Sequence, residues 1–218
     1  AQFYQYYKQK SEDDRDEFIK DWKKLEETCE KIFHPITGTP MDDLFTRYMY
    51  FIRAKRDNNK SSTTESLRRF YERDKYSVLK QDDTFENLKD LAQFWEDITD
   101  QNRERFSEEV LKKLFILNYA PNSMWRYFVS VYFMQNKDAD GMLDDSSFYA
   151  FLNKITGFIW TYAVTNPGVN ALRTPVYSEM INIVNNQPIT FDDFKFNADK
   201  VRSMFSNFSF NNVRPITK

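Results

Sequence analysis

Apolar positions along the chain recur at helical spacing almost from end to end. Phe18, Trp22, Leu25, Cys29 and Ile32 follow one another by four, three, four and three residues, which places them on one helix face. Ser11 with Asp14 forms a capping pair before that stripe, and His34-Pro35 ends it. Thr39-Pro40 starts a second helix, cap first and proline next, with Met41, Leu44, Phe45, Tyr48 and Ile52 on its buried side. The polar run from Arg56 to Glu65 predicts a flexible loop. Leu67, Phe70 and Tyr71 belong to the next helix, and Phe85, Leu88, Leu91, Trp95 and Ile98 to the one after. Ser107 caps a helix to Tyr119. Pro121 separates it from Met124–Met134, whose apolar residues lie on most sides and place it at the centre of a bundle. Phe148, Phe151, Leu152, Ile155, Ile159 and Tyr162 mark a long helix that ends at Thr165–Asn170. Thr174-Pro175 repeats the cap-proline start ahead of Val176, Met180 and Ile183. Asn185–Pro188 is a turn, and Thr190 with Asp193 forms another capping pair.

The pattern predicts an all-α, multi-helix bundle of roughly eight to ten helices with no substantial sheet, close to the usual ~11 residues each. The 218 residues suffice for one sizeable core or two small ones. Two packed sub-bundles, 1–135 and 146–218, joined by an acidic loop at 136–145, are one arrangement the pattern allows. Only four glycines occur, too few for glycine-rich phosphate loops or many hairpins. At 17% aromatic residues, the core is expected to be filled with rings. No apolar run reaches the ~20 residues of a membrane span. The single cysteine, Cys29, cannot form an internal disulfide and points to a reducing, cytoplasmic setting. A net charge of −2 exerts no global pull on nucleic acid.

Three features carry candidate chemistry. Gln135–Phe148 reads as a calcium loop. Asn136, Asp138 and Asp140 stand at its first, third and fifth places, with Gly141 sixth and Asp144 ninth. The twelfth place, where a bidentate glutamate supplies two oxygens, is Ser147. An acidic turn, with Ser146 or Ser147 capping the following helix, is the competing reading and the preferred one. Between Arg53 and Lys75 there are eight basic residues and four acids, a local +4 with Tyr71 interleaved. Arg53, Arg56, Arg68, Arg69 and Arg73 are therefore candidates for phosphate contact, with Arg69 and Arg73 sharing a helix face. The third feature is His34, the only histidine, which sits where an imidazole covers a helix end. Paired carboxylates such as Asp13-Asp14, Asp42-Asp43, Asp82-Asp83 and Asp192-Asp193 fall near helix starts, where they suit the helix dipole. No catalytic constellation and no cofactor or metal set emerges from the spacing.

The stretches "FIWTYAVTNPGVNALRTPVYSEMINIVN", "NNVRPITK", "DDLFTRYMYFIRAKR" and "FENLKDLAQFWEDI" resemble the helical middle of the GmrSD-type family. Those bacterial proteins carry a ParB-like nucleotide-hydrolysing domain, then a helical region, then an HNH-type nuclease domain, and characterised members restrict modified phage DNA. The likeness is densest from Phe158 to Lys218. The family's Asp-Gly-Gln-Gln-Arg type motif and its HNH histidine-proline motif do not occur in these residues. The resemblance implies a single helical region, 1–218, excised from a larger protein and flanked by partner domains of the same chain. It would be non-catalytic itself, with DNA as a further partner, while the whole protein would be an endonuclease. A free-standing helical interaction module or weak calcium binder is the alternative. An enzyme acting through carboxylates in an aromatic pocket is a third reading, for which no pair is singled out.

Overall fold

Local signals place most of the helix starts. Ser11 Oγ accepts from the Asp14 amide at 3.2 Å and opens α1, Glu12–Ile32. Thr39 and Asp42 exchange hydrogen bonds in a full capping box at the head of α2, Pro40–Lys55. The structure, a computed structural model, describes residues 11–56, 66–120, 123–165, 173–192 and 194–206. The remaining helices are α3 (Leu67–Tyr76), α4 (Thr84–Thr99), α5 (Glu108–Leu117), α6 (Met124–Asn136), α7 (Asp145–Thr165), α8 (Arg173–Val184) and α9 (Ala198–Ser206). A 3₁₀ turn, Val78–Lys80, precedes α4. Nine helices and no strand occur among the described residues, so the protein is all-α. No helix among them is long and apolar enough to cross a membrane.

Helix α6 is central, as its all-round apolar pattern predicts. Helix α2 is equally so, which its stripe does not announce: every residue from 47 to 54 is buried. α8 packs across both α6 and α2, α7 lies along α5, and α4 closes over α1 and α2. The helices after the acidic loop thus pair chiefly with those before it. One buried apolar cluster runs through α1 to α8 rather than splitting at 136–145, and α9 adds no buried residue to it.

Rings fill that cluster. Phe94 stacks on Phe133 with centroids 4.1 Å apart, and Tyr132 stacks on Phe151 at 4.0 Å. Such pairs add ~0.5–1.5 kcal/mol each beyond the area they bury. Burial pushes the Cys29 thiol up to about 12, so it behaves as a small apolar side chain.

Several boundaries differ from the sequence expectation. Asp83 occupies the cap position of α4, but its carboxylate takes the Asn87 side chain instead of a helix amide. Helix α8 begins at Arg173, so Thr174 and Pro175 lie inside its first turn. Thr190 does not open a helix. Its hydroxyl accepts from Asp192 at 3.4 Å, and α9 starts later under Asn197, whose side chain accepts from the Lys200 amide at 2.8 Å. The predicted partner Asp193 lies outside the described residues, as do the loop at 57–65, Pro121 and the break at 166–172. The segment after α8 is held by Glu179, a buried carboxylate that accepts from the Thr190 and Phe191 amides and from Asn182. This pins Phe191 flat against Phe158, with centroids 3.8 Å apart.

Candidate functional site

One turn into α2, the i,i+4 spacing brings Arg47 onto Asp43 at 2.8 Å. The helix then carries this guanidinium inward, because α2 is buried on every side at that level. Phe33, the C-cap of α1, covers one part of it at 4.4 Å from the ring centroid, and Trp95 of α4 approaches at 4.3 Å. Trp95 is itself fixed by a hydrogen bond from its indole N–H to Ser130 at 2.9 Å. The Arg47 side chain is 2% exposed. Its Nε and Nη1 have no hydrogen-bond partner among the described residues. Burial pulls its pKa down and Asp43 pulls it back up, but a guanidinium stays charged in either case. Leaving buried donors unmet costs roughly 1–3 kcal/mol for each group, more when charged.

Arg47 forms the floor of a cleft of about 600 Å³ between the end of α1, α2, α4, α5 and α6. Its walls carry Arg103, Lys112 and Arg126, and Glu108 is the one acid on them. Lys112 pairs with Glu108 at 2.8 Å and holds that carboxyl below its ordinary range. Arg103 and Arg126 enter no ion pair among the described residues. Four cations against one acid give the lining +3, and counting Asp43 behind Arg47 leaves +2, on a chain of net −2. Ile98, Leu111, Leu114 and Phe115 supply an apolar wall, and Phe115 is 55% exposed. His34 reaches the rim but is exposed, at the end of α1 where the sequence places it. The arrangement is suited to binding an anion. Nothing in it pairs a nucleophile with a base.

The acidic loop is built differently. Asn136 turns its side chain back onto the Tyr132 carbonyl at 2.8 Å. Asp138 Oδ1 accepts the amides of Asp140 and Met142 at 3.0 and 2.8 Å, and the Met142 carbonyl accepts the Asp138 amide at 2.9 Å. Asp140 is exposed. Asp144, not Ser146 or Ser147, caps α7, with its Oδ1 accepting from the Ser147 amide at 2.9 Å. The loop is then tied to its neighbours. Arg105 bridges Asp97, at 2.8 Å, and the Gly141 carbonyl, while Asp145 accepts from the Ser107 amide at 3.0 Å. Among the described residues no cluster of acids, histidine or cysteine is arranged to hold a metal ion.

Among the described residues of the basic stretch, one arginine is withdrawn from the surface. Arg53 is 2% exposed, its guanidinium 5.2 Å from the Tyr177 ring, so it is a core residue and not a phosphate contact. Arg56 is exposed beside Phe70, and Arg68 pairs with Glu72 at 2.6 Å. Arg69 and Arg73 are both exposed, but the backbone leaves helical geometry at Arg73 (ψ 149°) and turns left-handed at Asp74 and Lys75. The break lies after the Arg73 Cα, whose φ of −57° is still helical, so Arg69 and Arg73 keep a common face and only the chain beyond them turns away.

The signal that could have found the cleft was present but weak: an Asp-x-x-x-Arg pair on a helix with no polar face. No family model, curated protein or solved structure matches the chain.

Proposed function

We propose that this chain is a non-catalytic helical segment of a GmrSD-like DNA restriction or defence protein. In that role it couples a nucleotide-hydrolysing domain on its N-terminal side to a nuclease domain on its C-terminal side. The observation that carries this reading is the packing of α8 on α6 and α2, and of α7 on α5. Three of the four stretches that resemble the family fall on α2, α4, α7 and α8, and those helices belong to one continuous core. A close-packed core is not continuously deformable, so a shift at one end is passed to the other instead of being absorbed. The exposed Arg56, Arg68, Arg69 and Arg73 are the residues through which the segment would meet DNA phosphates.

The test has two stages. The reading frame around this segment is expected to encode ParB-like and HNH-type sequences on its two sides. Within that full chain, Met180→Ala opens the α8 packing and is expected to lower DNA cleavage while nucleotide hydrolysis persists. A frame with neither neighbour, or cleavage untouched by Met180→Ala, would sink the coupling role. Arg69→Ala is expected to weaken DNA binding at low salt and make little difference at high salt.

A further inference from the structure

We propose that the Arg47 cleft binds a small organic phosphate, with the phosphate between Arg47, Arg103 and Arg126 and the organic body against Leu111 and Phe115. The inference stands apart from the coupling role and needs no flanking domain.

Three observations converge on it. First, Arg47 is charged, nearly inaccessible to water, and keeps Nε and Nη1 without a partner among the described residues while lining an open cleft. Buried guanidinium donors are normally met, and these two expose almost no surface, so a ligand oxygen meets them when the Arg47 side chain shifts toward the cleft it lines. Second, the charge balance selects for more than one negative charge. Asp43 already offsets one cation and Glu108 another, which leaves two positive charges for the ligand. A phosphate monoester near neutral pH carries that charge, whereas a carboxylate carries half of it. Third, the volume of about 600 Å³ lies in the range of drug-sized ligand sites and far exceeds one inorganic anion. The remaining space is bounded by Ile98, Leu111, Leu114 and Phe115, which suit an apolar or planar body.

Phenyl phosphate carries both features, so it is the probe, titrated calorimetrically into the intact chain. It should bind at least tenfold tighter than inorganic phosphate, which lacks the body, and tenfold tighter than benzoate, which lacks the second charge. Arg103→Gln and Arg126→Gln should each weaken it about tenfold with unchanged melting temperature. Leu111→Ser should narrow the gap between phenyl phosphate and inorganic phosphate. Arg47→Lys should abolish binding, and because that variant disturbs a buried stack, the two rim variants decide the matter if it fails to fold. No binding of phenyl phosphate would overturn the proposal, as would equal binding of benzoate or affinity unmoved by both rim variants. A phosphotyrosine peptide binding more than tenfold tighter than phenyl phosphate would also overturn it, by making the ligand a protein.

Discussion

The acidic loop and the Arg47 cleft are opposites in the way they dispose of their polar groups. In the loop, the Asp138 and Asp144 carboxylates accept backbone amides, and the Met142 carbonyl that would face an ion accepts Asp138. Its chemistry is directed at its own backbone. In the cleft, one of the most costly groups a protein can bury is held between two rings with a single carboxylate partner and donors to spare. A motif tells which residue types are near one another in the chain. Binding capacity depends on which polar atoms are left over after folding. At the loop the buried one is Arg105 Nε alone, whereas in the cleft two belong to one guanidinium that lines open space.

The sharpest way to break this comparison is to remove either side of the Arg47–Asp43 pair. Asp43→Ala leaves a buried guanidinium without its counter-ion and should cost about 4 kcal/mol by urea denaturation. Arg47→Met removes the charge but keeps an apolar stem between Phe33 and Trp95, so its cost should stay within about 1 kcal/mol. If Arg47→Met were as damaging as Asp43→Ala, Arg47 would be a fold residue first and its open donors incidental.

The loop's own anchor comes next. Asp97 and Arg105 are each about one-eighth exposed, and Arg105 reaches from Asp97 to the Gly141 carbonyl. Asp97→Ala should cost about 2 kcal/mol and speed hydrogen exchange at the amides of Asp140 and Met142. Unchanged exchange there would mean that the loop's internal hydrogen bonds hold it without help from α4.

Helices were legible because each depends on neighbours within a turn. The caps at Ser11, Thr39 and Ser107 and the stripes that follow them were readable directly. Burial of the charged side chains was not legible. Arg53 and Arg56 look alike in the chain, yet one sits under Tyr177 and the other in solvent, because α8 covers only the first. The kink at Arg73 was hidden too, since nothing in "LRRFYERDKY" breaks a helix by composition. Arg47 was passed over for the same reason as Glu179: a charge in a mostly apolar helix reads as surface until its tertiary neighbours are known.

A smaller effect tests the turn itself. Gly141 has φ +72°, in the left-handed region, and an added Cβ would meet only Arg105 at 3.9 Å, an ordinary contact. Gly141→Ala should therefore cost about 1 kcal/mol, the conformational penalty alone. A much larger loss would show that the loop tolerates no adjustment around Arg105.

The smallest expected effect concerns Asp144 and the missing twelfth ligand. Hydrogen bonds from the Ser147 hydroxyl and amide hold the Asp144 carboxyl below its ordinary value of 3.8. A depressed folded pKa contributes stability that is complete above the unfolded value and vanishes as pH falls through the folded one. The difference in stability between the parent and Asp144→Ala should thus be flat from about pH 8 to about pH 5 and shrink only below the ordinary carboxyl range. Ser147→Glu supplies the carboxylate that a calcium loop lacks, at the third position of α7. There it gains from the helix dipole but lies close to Asp144 and Asp145, so stability should move by no more than about 0.5 kcal/mol. Calcium should leave the melting temperature of both proteins unchanged. To bind, the ion would have to displace the Asp140 and Met142 amides from Asp138 and break the Asp138–Met142 backbone bond. A calcium-dependent rise in the parent would remove the distinction between the two regions. A rise confined to Ser147→Glu would show instead that the backbone yields once the closing carboxylate is in place.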